Sequence, residues 1–189
     1  MDQKLLQYKN LLLQWNRKIN LIGDSTIDDF DNRHIKDSLQ LLKLFNEKQL
    51  KESSFVDLGT GAGIPGLILS IAGVKNMTLI EKSIQKCNFL KEAVKISDNY
   101  VKIINKNIYE IKNLKFDFII SRALANLTEL IKMSKIFYKT NTKCIFLKGQ
   151  KYQQELETAQ QHFKFDVELY NSETSKESKI LMISGIKYY

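Results

Sequence analysis

Apolar residues recur at helical spacing near the start of the chain, at Leu5, Leu6, Leu12, Leu13 and Trp15, which predicts a helix over residues 3–15. A polar break at 20–24 follows, and residues 28–45, carrying His34, Leu41, Leu42 and Phe45, read as a second helix. Both come before any strand, so residues 1–50 are expected to form a helical cap and residues 51–189 the main domain. From residue 54 the period changes. Short strand-like runs at 54–58, 77–80, 101–104, 116–121 and 142–147 alternate with helical patterns at 67–72, 84–96, 127–137 and 152–162. Such alternation predicts a parallel sheet covered on both faces. Two last strands, 165–169 and 179–186, have only the polar turn 171–177 between them and are expected to pair as a hairpin at one edge.

The sharpest local signal is Asp57-Leu58-Gly59-Thr60-Gly61-Ala62-Gly63-Ile64-Pro65-Gly66, directly after the first strand and directly before a helix. Glycines at 59, 61 and 63 permit a tight turn and close approach of a ligand to the backbone. Pro65 falls where the helix starts, a place that needs no N–H. Two cofactors compete for this loop. Gly61-x-Gly63-x-x-Gly66 matches a dinucleotide loop, and Glu81, at the end of the second strand, stands at the distance expected of a ribose carboxylate. Asp57 inside the first strand, Glu81 after the second and the late hairpin tilt the reading to S-adenosylmethionine. The fold class is thus α/β: a Rossmann-like, seven-stranded class I methyltransferase sheet with a C-terminal hairpin and N-terminal helices. A loop that only makes a tight packing turn is the bland alternative.

Composition narrows the partners. The 189 residues are 43% hydrophobic and 26% charged, ordinary for a globular chain, and the formal charge is +8. Residues 75–115 hold nine basic and four acidic groups, so the excess is uneven. A basic excess attracts polyanions, although a lysine-rich chain gains it without any nucleic-acid role. No apolar run reaches 18 residues, which argues against a membrane span, and the opening residues do not read as a signal peptide. Cys87 and Cys144 lie far apart, and with two histidines they offer no plausible zinc cluster. Buried thiols in a reducing, cytoplasmic compartment are expected.

Several residues outside the loop invite a role. Arg122, one of three arginines with Arg17 and Arg33, follows the fourth strand and is placed at the sheet's carboxyl edge. Its guanidinium suits a phosphate, a base edge or an ion pair with a nearby carboxylate. Lys148 ends the fifth strand on the same edge, where it can touch RNA or cap a helix dipole, and Lys82 and Lys86 follow Glu81 on the rim. His34 and Asp37 share a helical face; tethering the N-terminal helices is favoured over a catalytic pair. Trp15 and Asn20 are expected to lock the first helix down. No Asn/Asp-Pro-Pro-aromatic tetrad follows the fourth strand, as an exocyclic-amine enzyme would use, and neither cysteine has a Pro-Cys setting for covalent pyrimidine chemistry. Guanine N7, with its own lone pair, fits what remains.

Trp15-Asn16-Arg17-Lys18-Ile19-Asn20-Leu21, Arg33-His34-Ile35-Lys36-Asp37-Ser38, the loop with its Gly-Ile-Pro-Gly end, Leu79-Ile80-Glu81-Lys82-Ser83, Ser121-Arg122-Ala123 and Leu147-Lys148-Gly149 together resemble the RsmG family, also called glucose-inhibited division protein B, over nearly the whole chain. These are bacterial small-subunit ribosomal RNA methyltransferases. The resemblance implies methyl transfer from S-adenosyl-L-methionine to N7 of a guanine in the 530 loop of 16S ribosomal RNA, with naked RNA or the small ribosomal subunit as partner, in the cytoplasm, by a monomer. It implies cofactor contacts at Asp57, Gly59, Thr60, Gly61, Gly63, Glu81, Lys82, Asn107, Ile108, Tyr109, Glu110 and Arg122, and substrate-side roles for Arg122, Lys148 and Arg33. Asn107 and Ser178 stand where the family usually has arginine. An S-adenosylmethionine enzyme on another acceptor and a non-catalytic RNA-binding assembly protein are the rival readings.

Overall fold

The computed structural model describes residues 2–188. Helix α1 (Gln3–Asn16) is capped by the Asp2 side chain, which accepts from the Lys4 N–H at 2.7 Å. Its C-terminal exit is held by Asn16, whose Oδ1 accepts from Leu21 N and Ile22 N; this is the lock expected of Asn20. Trp15 does help, edge-on to Phe89 with its Nε1 donating to Glu92.

The segment 28–45, expected as a helix, is helical over 30–44 but mixed in winding. A π-helical stretch, Asp31–Lys36, leads into one α-helical turn, α2 (Asp37–Leu39), and then a 3-10 stretch, Gln40–Leu44. A short helix that the apolar pattern does not reveal follows, α3 (Glu47–Glu52), started by a capping box in which Asn46 and Gln49 bond each other's backbone.

The sheet contains β1 (Phe55–Leu58), β2 (Asn76–Ile80), β3 (Tyr100–Ile104), β4 (Phe116–Arg122), β5 (Tyr138–Lys148), β6 (Phe163–Asn171) and β7 (Lys179–Tyr188) in the order β3-β2-β1-β4-β5-β7-β6. The first five are parallel; β7 runs antiparallel between β5 and β6. The expected hairpin is thus present, with its second strand inserted into the sheet. Helices α4 (Gly66–Ile71), α5 (Ile84–Ala93), α6 (Leu127–Ser134) and α7 (Tyr152–Gln160) make the crossovers. Both α5 and α6 finish in a 3-10 turn, at Val94–Ile96 and Lys135–Phe137.

Alternate residues of each central strand feed two cores, as the pleat requires. On one face Phe55, Met77, Leu79, Phe118 and Ile120 pack with α4, α5 and the N-terminal residues Leu5, Tyr8, Leu12, Phe30 and Leu41. On the other, Val56, Leu58, Ile80, Ile119 and Phe146 pack with Leu127, Leu130 and Ile131 of α6 and Ala159 of α7. The rings of Phe45, Phe55 and Phe118 join the 28–45 segment to the sheet at centroid spacings of 4.8–5.0 Å. The N-terminal helices therefore share a core with the sheet. Both cysteines are buried and free, as expected, and burial pushes the Cys144 thiol up to about 12. No helix among the described residues is long and apolar enough to cross a membrane.

Successive crossovers from β1 run outward to β2 and β3, whereas β4 and β5 lie on its other side. The carboxyl ends of β1 and β4 therefore flank the topological switch point, where sheets of this kind bind ligands.

Candidate active site

The loop after β1 is built around Asp57. Fully buried, its Oδ2 accepts from Thr60 Oγ1 at 2.6 Å and from Gly66 N at 2.9 Å. Gly66 must be glycine for a contact reason: a Cβ there would meet Asp57 Cβ and Leu79 Cδ2 at 2.7 Å. Burial raises the Asp57 carboxyl to about 7, outweighing the bonds from Thr60 and Gly66 and the charge of Arg122. Its Oδ1 is the one buried side-chain polar atom without a partner among the described residues. Gly59, Gly61 and Gly63 take φ of 66°, 59° and 87°, the left-handed region, in the tight turn anticipated for them. The loop is tied from above by a residue that local sequence does not reveal: Tyr8 of α1, wholly buried, donates to the Ala62 carbonyl at 2.7 Å.

Glu81 follows β2 directly. Its Oε2 accepts from Gly61 N at 3.0 Å and its Oε1 from Ser83 N at 2.8 Å, so one carboxylate joins the glycine loop to the start of α5. Asn105 completes the corner by donating to the Glu81 and Lys82 carbonyls. Beside Glu81 opens a cleft of about 390 Å³. Of the residues expected at a cofactor, Gly59, Gly61, Glu81, Lys82, Asn107, Ile108 and Tyr109 line it. Asp57, Thr60 and Gly63 are outside the lining, Asp57 and Thr60 being buried and bonded to each other within the loop, and Glu110 is exposed and also outside the lining. Asn107 caps the 3-10 turn Ile108–Glu110 by accepting from Tyr109 N, which is how an asparagine serves at this position. Lys86, Lys106, Ala123, Leu124 and Met133 complete the walls. Of these, Leu124 sits so close over the loop that a Cβ on Gly59 would meet its Cδ1 at 2.5 Å.

Ala123 and Leu124 also line a second, larger cavity of about 610 Å³ on the other side of the β4 end. Ala123 has φ 54°, a strained conformation for a residue with a Cβ, and it stands where the two spaces meet. Arg122 lies on the wall of the second cavity and outside the lining of the first. Its Nη1 donates to the Arg33 carbonyl at 2.8 Å and to Asp37 Oδ2 at 3.1 Å, and its Nη2 donates to His34 Nδ1 at 3.0 Å. Burial, then the Arg122 charge, pushes His34 down to about 4, so its ring is a neutral acceptor. The tethering role expected of His34 and Asp37 is thus specific: they hold Arg122. Lys148 lines the same cavity but is buried, donating to the Ala125 carbonyl at 2.8 Å and paired with Glu155 at 2.6 Å. Glu155 Oε2 also accepts from Leu127 N, so this pair braces the start of α6. Arg33, Ser178 and Lys179 also line this cavity.

Residues 1–182 match the family described as GidB, rRNA small subunit methyltransferase G. The chain belongs to this family. Relatives of that name reach 41% identity in Rickettsia bellii over 184 residues, 97% of this chain and 93% of the relative. In Orientia tsutsugamushi (strain Boryong) the identity is 43% over 180 residues, covering 95% and 88%. Among solved structures, the ribosomal protein L11 methylase of Lactobacillus delbrueckii superposes with a TM-score of 0.62 at 20% identity, covering 78% of this chain and 75% of that one. Magnesium protoporphyrin IX methyltransferase of Synechocystis, solved with bound SAM, gives 0.62 at 14% identity and 97% coverage of both. At such identities these two establish the fold, a class I methyltransferase sheet with preceding helices.

Proposed function

We propose that this member of the small-subunit methyltransferase family transfers the methyl group of S-adenosylmethionine to N7 of a guanine in the 530 loop of 16S ribosomal RNA. The observation that carries the reading is the pair of cavities at the switch point, sharing only the Ala123 and Leu124 wall, one with a ribose-type carboxylate and the other with a cradled guanidinium. The smaller cleft fits the cofactor. Gly61 leaves its backbone open on the ligand side, with nothing nearer to a built Cβ than the Gly59 carbonyl at 4.0 Å. Glu81, already fixed by two N–H groups, keeps lone pairs for ribose hydroxyls. Ile108 and Leu124 offer apolar surface to an adenine.

When bound, S-adenosylmethionine supplies an electrophilic methyl on a sulfonium. The chain's own residues hold and orient. Glu81 grips the ribose, the Asp57-braced loop presents its backbone, and Arg122 fixes a guanine or its phosphate in the neighbouring cavity. No base is asked of the site, because N7 carries an unprotonated in-plane lone pair. This agrees with His34, which spends Nδ1 on Arg122 and Nε2 on Thr26. Lys82, Lys86 and Lys106 on the cleft rim favour a polyanionic substrate. The two free buried thiols accord with a reducing cytoplasm.

Labelled methyl from S-adenosylmethionine is expected to enter a 16S fragment spanning the 530 loop or the small subunit, measured in parallel. A 7-deazaguanine at the acceptor should abolish uptake; label persisting there would refute the N7 assignment.

A further inference from the structure

Asp37 stands where three segments meet at the larger cavity. Its Oδ2 accepts from Arg122 at the end of β4. Its Oδ1 accepts from Thr174 Oγ1 at 2.7 Å, in the β6–β7 turn, and from Gln40 Nε2 at 2.8 Å, in its own helical segment. Gln40 Oε1 in turn accepts from Glu173 N at 2.7 Å, and Lys43 pairs with Glu173 at 2.5 Å. One carboxylate therefore joins the N-terminal segment, the strand end and the turn that wall the cavity.

The guanidinium it holds is over-determined. Arg122 has five N–H donors, and three of its bonds go to Asp37, the Arg33 carbonyl and neutral His34. A side chain so fixed loses little freedom when it meets a ligand, and the rest of its donor fork is left for one. The Arg122 and Asp37 side chains are 20% and 17% exposed at the cavity wall, so this pair is not a core ion pair.

We propose that Asp37 is a positioning residue for Arg122, and that through Thr174 it makes the β6–β7 turn part of the same device. The proposal rests on the reading that this cavity receives the acceptor RNA. It predicts that Asp37 acts only through Arg122, which an independent structural role would not do.

The test is a double-substitution cycle with D37N, R122A and the pair, read by methyl transfer to small ribosomal subunits and by anisotropy of a labelled 16S fragment spanning the 530 loop. D37N should lower kcat/KM about tenfold or more, in the same parameter, kcat or KM, that R122A affects. In the R122A background it should cost less than about twofold further. Affinity for S-adenosylmethionine should stay within about twofold throughout. T174V, which removes only the turn's hydroxyl, should repeat the pattern at smaller amplitude and guards against misfolding of D37N. Losses that add in full, or equal weakening of cofactor and RNA, would overturn the proposal. Should the unsubstituted chain bind RNA but transfer no methyl, the activity reading falls, and coupling or additivity in RNA affinity still decides the role of Asp37.

Discussion

Replacing Glu81 by glutamine probes the cofactor cleft with almost no change in shape. In the folded chain each carboxylate oxygen has its own backbone donor, Gly61 N at 3.0 Å and Ser83 N at 2.8 Å. A glutamine offers one oxygen and one NH₂, so one of these N–H groups must face another donor. Leaving a buried donor without an acceptor costs about 1–3 kcal/mol of stability. The ribose simultaneously loses a charged acceptor. Hydrogen bonds to charged groups contribute about 1.5–3 kcal/mol, and each 1.4 kcal/mol is a factor of ten, so affinity should fall about 10- to 100-fold. Calorimetric titration with S-adenosylmethionine and S-adenosylhomocysteine reads the affinity, and urea denaturation without ligand reads the stability. Affinity within about threefold of the unsubstituted chain would refute the assignment of Glu81 to the ribose, whatever the stability did.

Tyr8→Phe should cost about 1–3 kcal/mol in urea denaturation, because the buried Ala62 carbonyl loses its donor while the ring's packing is kept; no measurable loss would mean that α1 does not tie down the loop. Asp57 should leave a pH signature of inverted sign. Its carboxyl is raised to about 7 in the folded chain against 3.8 when unfolded, so the folded state binds the extra proton between these values. Its contribution is full below 3.8 and is lost as the pH rises through 7; D57N should remove that component from stability measured between pH 4 and 8, and identical profiles would contradict it. His34 has the opposite sign: lowered to about 4 from 6.5, its neutral form supports the fold above 6.5 and that support is lost as the pH falls through 4. H34Q should flatten the acid limb of the stability profile accordingly.

The parts of this molecule that read directly from sequence are those whose causes are local. The alternation of strand and helix patterns and the glycine loop around Asp57 are set by residues close in sequence, and Glu81 is marked by its place at a strand end and its bond to Ser83, although its second partner, Gly61, lies back in the loop. What escaped depends on distant partners. Nothing near Tyr8 announces that its hydroxyl reaches Ala62, 54 positions on. The sequence leaves a phosphate, a base edge and a carboxylate open as partners of Arg122, and Asp37 is named only when the 31–44 segment folds against it; Lys148 likewise gains its carboxylate partner only when Glu155 arrives from α7. Leu124 is an ordinary apolar residue in sequence and becomes a dividing wall only because β4 ends beside the glycine loop. The change of winding at 31–36 carries no apolar-period signal, and α3 is announced only by its capping residues Asn46 and Gln49.

The central claim is spatial: the methyl donor lies on one side of Ala123 and Leu124 and the acceptor base on the other. A crystal structure of the chain with S-adenosylmethionine tests it most directly. The account predicts ribose hydroxyls on Glu81, adenine against Ile108, and the methyl directed past Leu124 into the cavity that holds Arg122. A donor bound elsewhere, or a methyl turned away from that cavity, would contradict it.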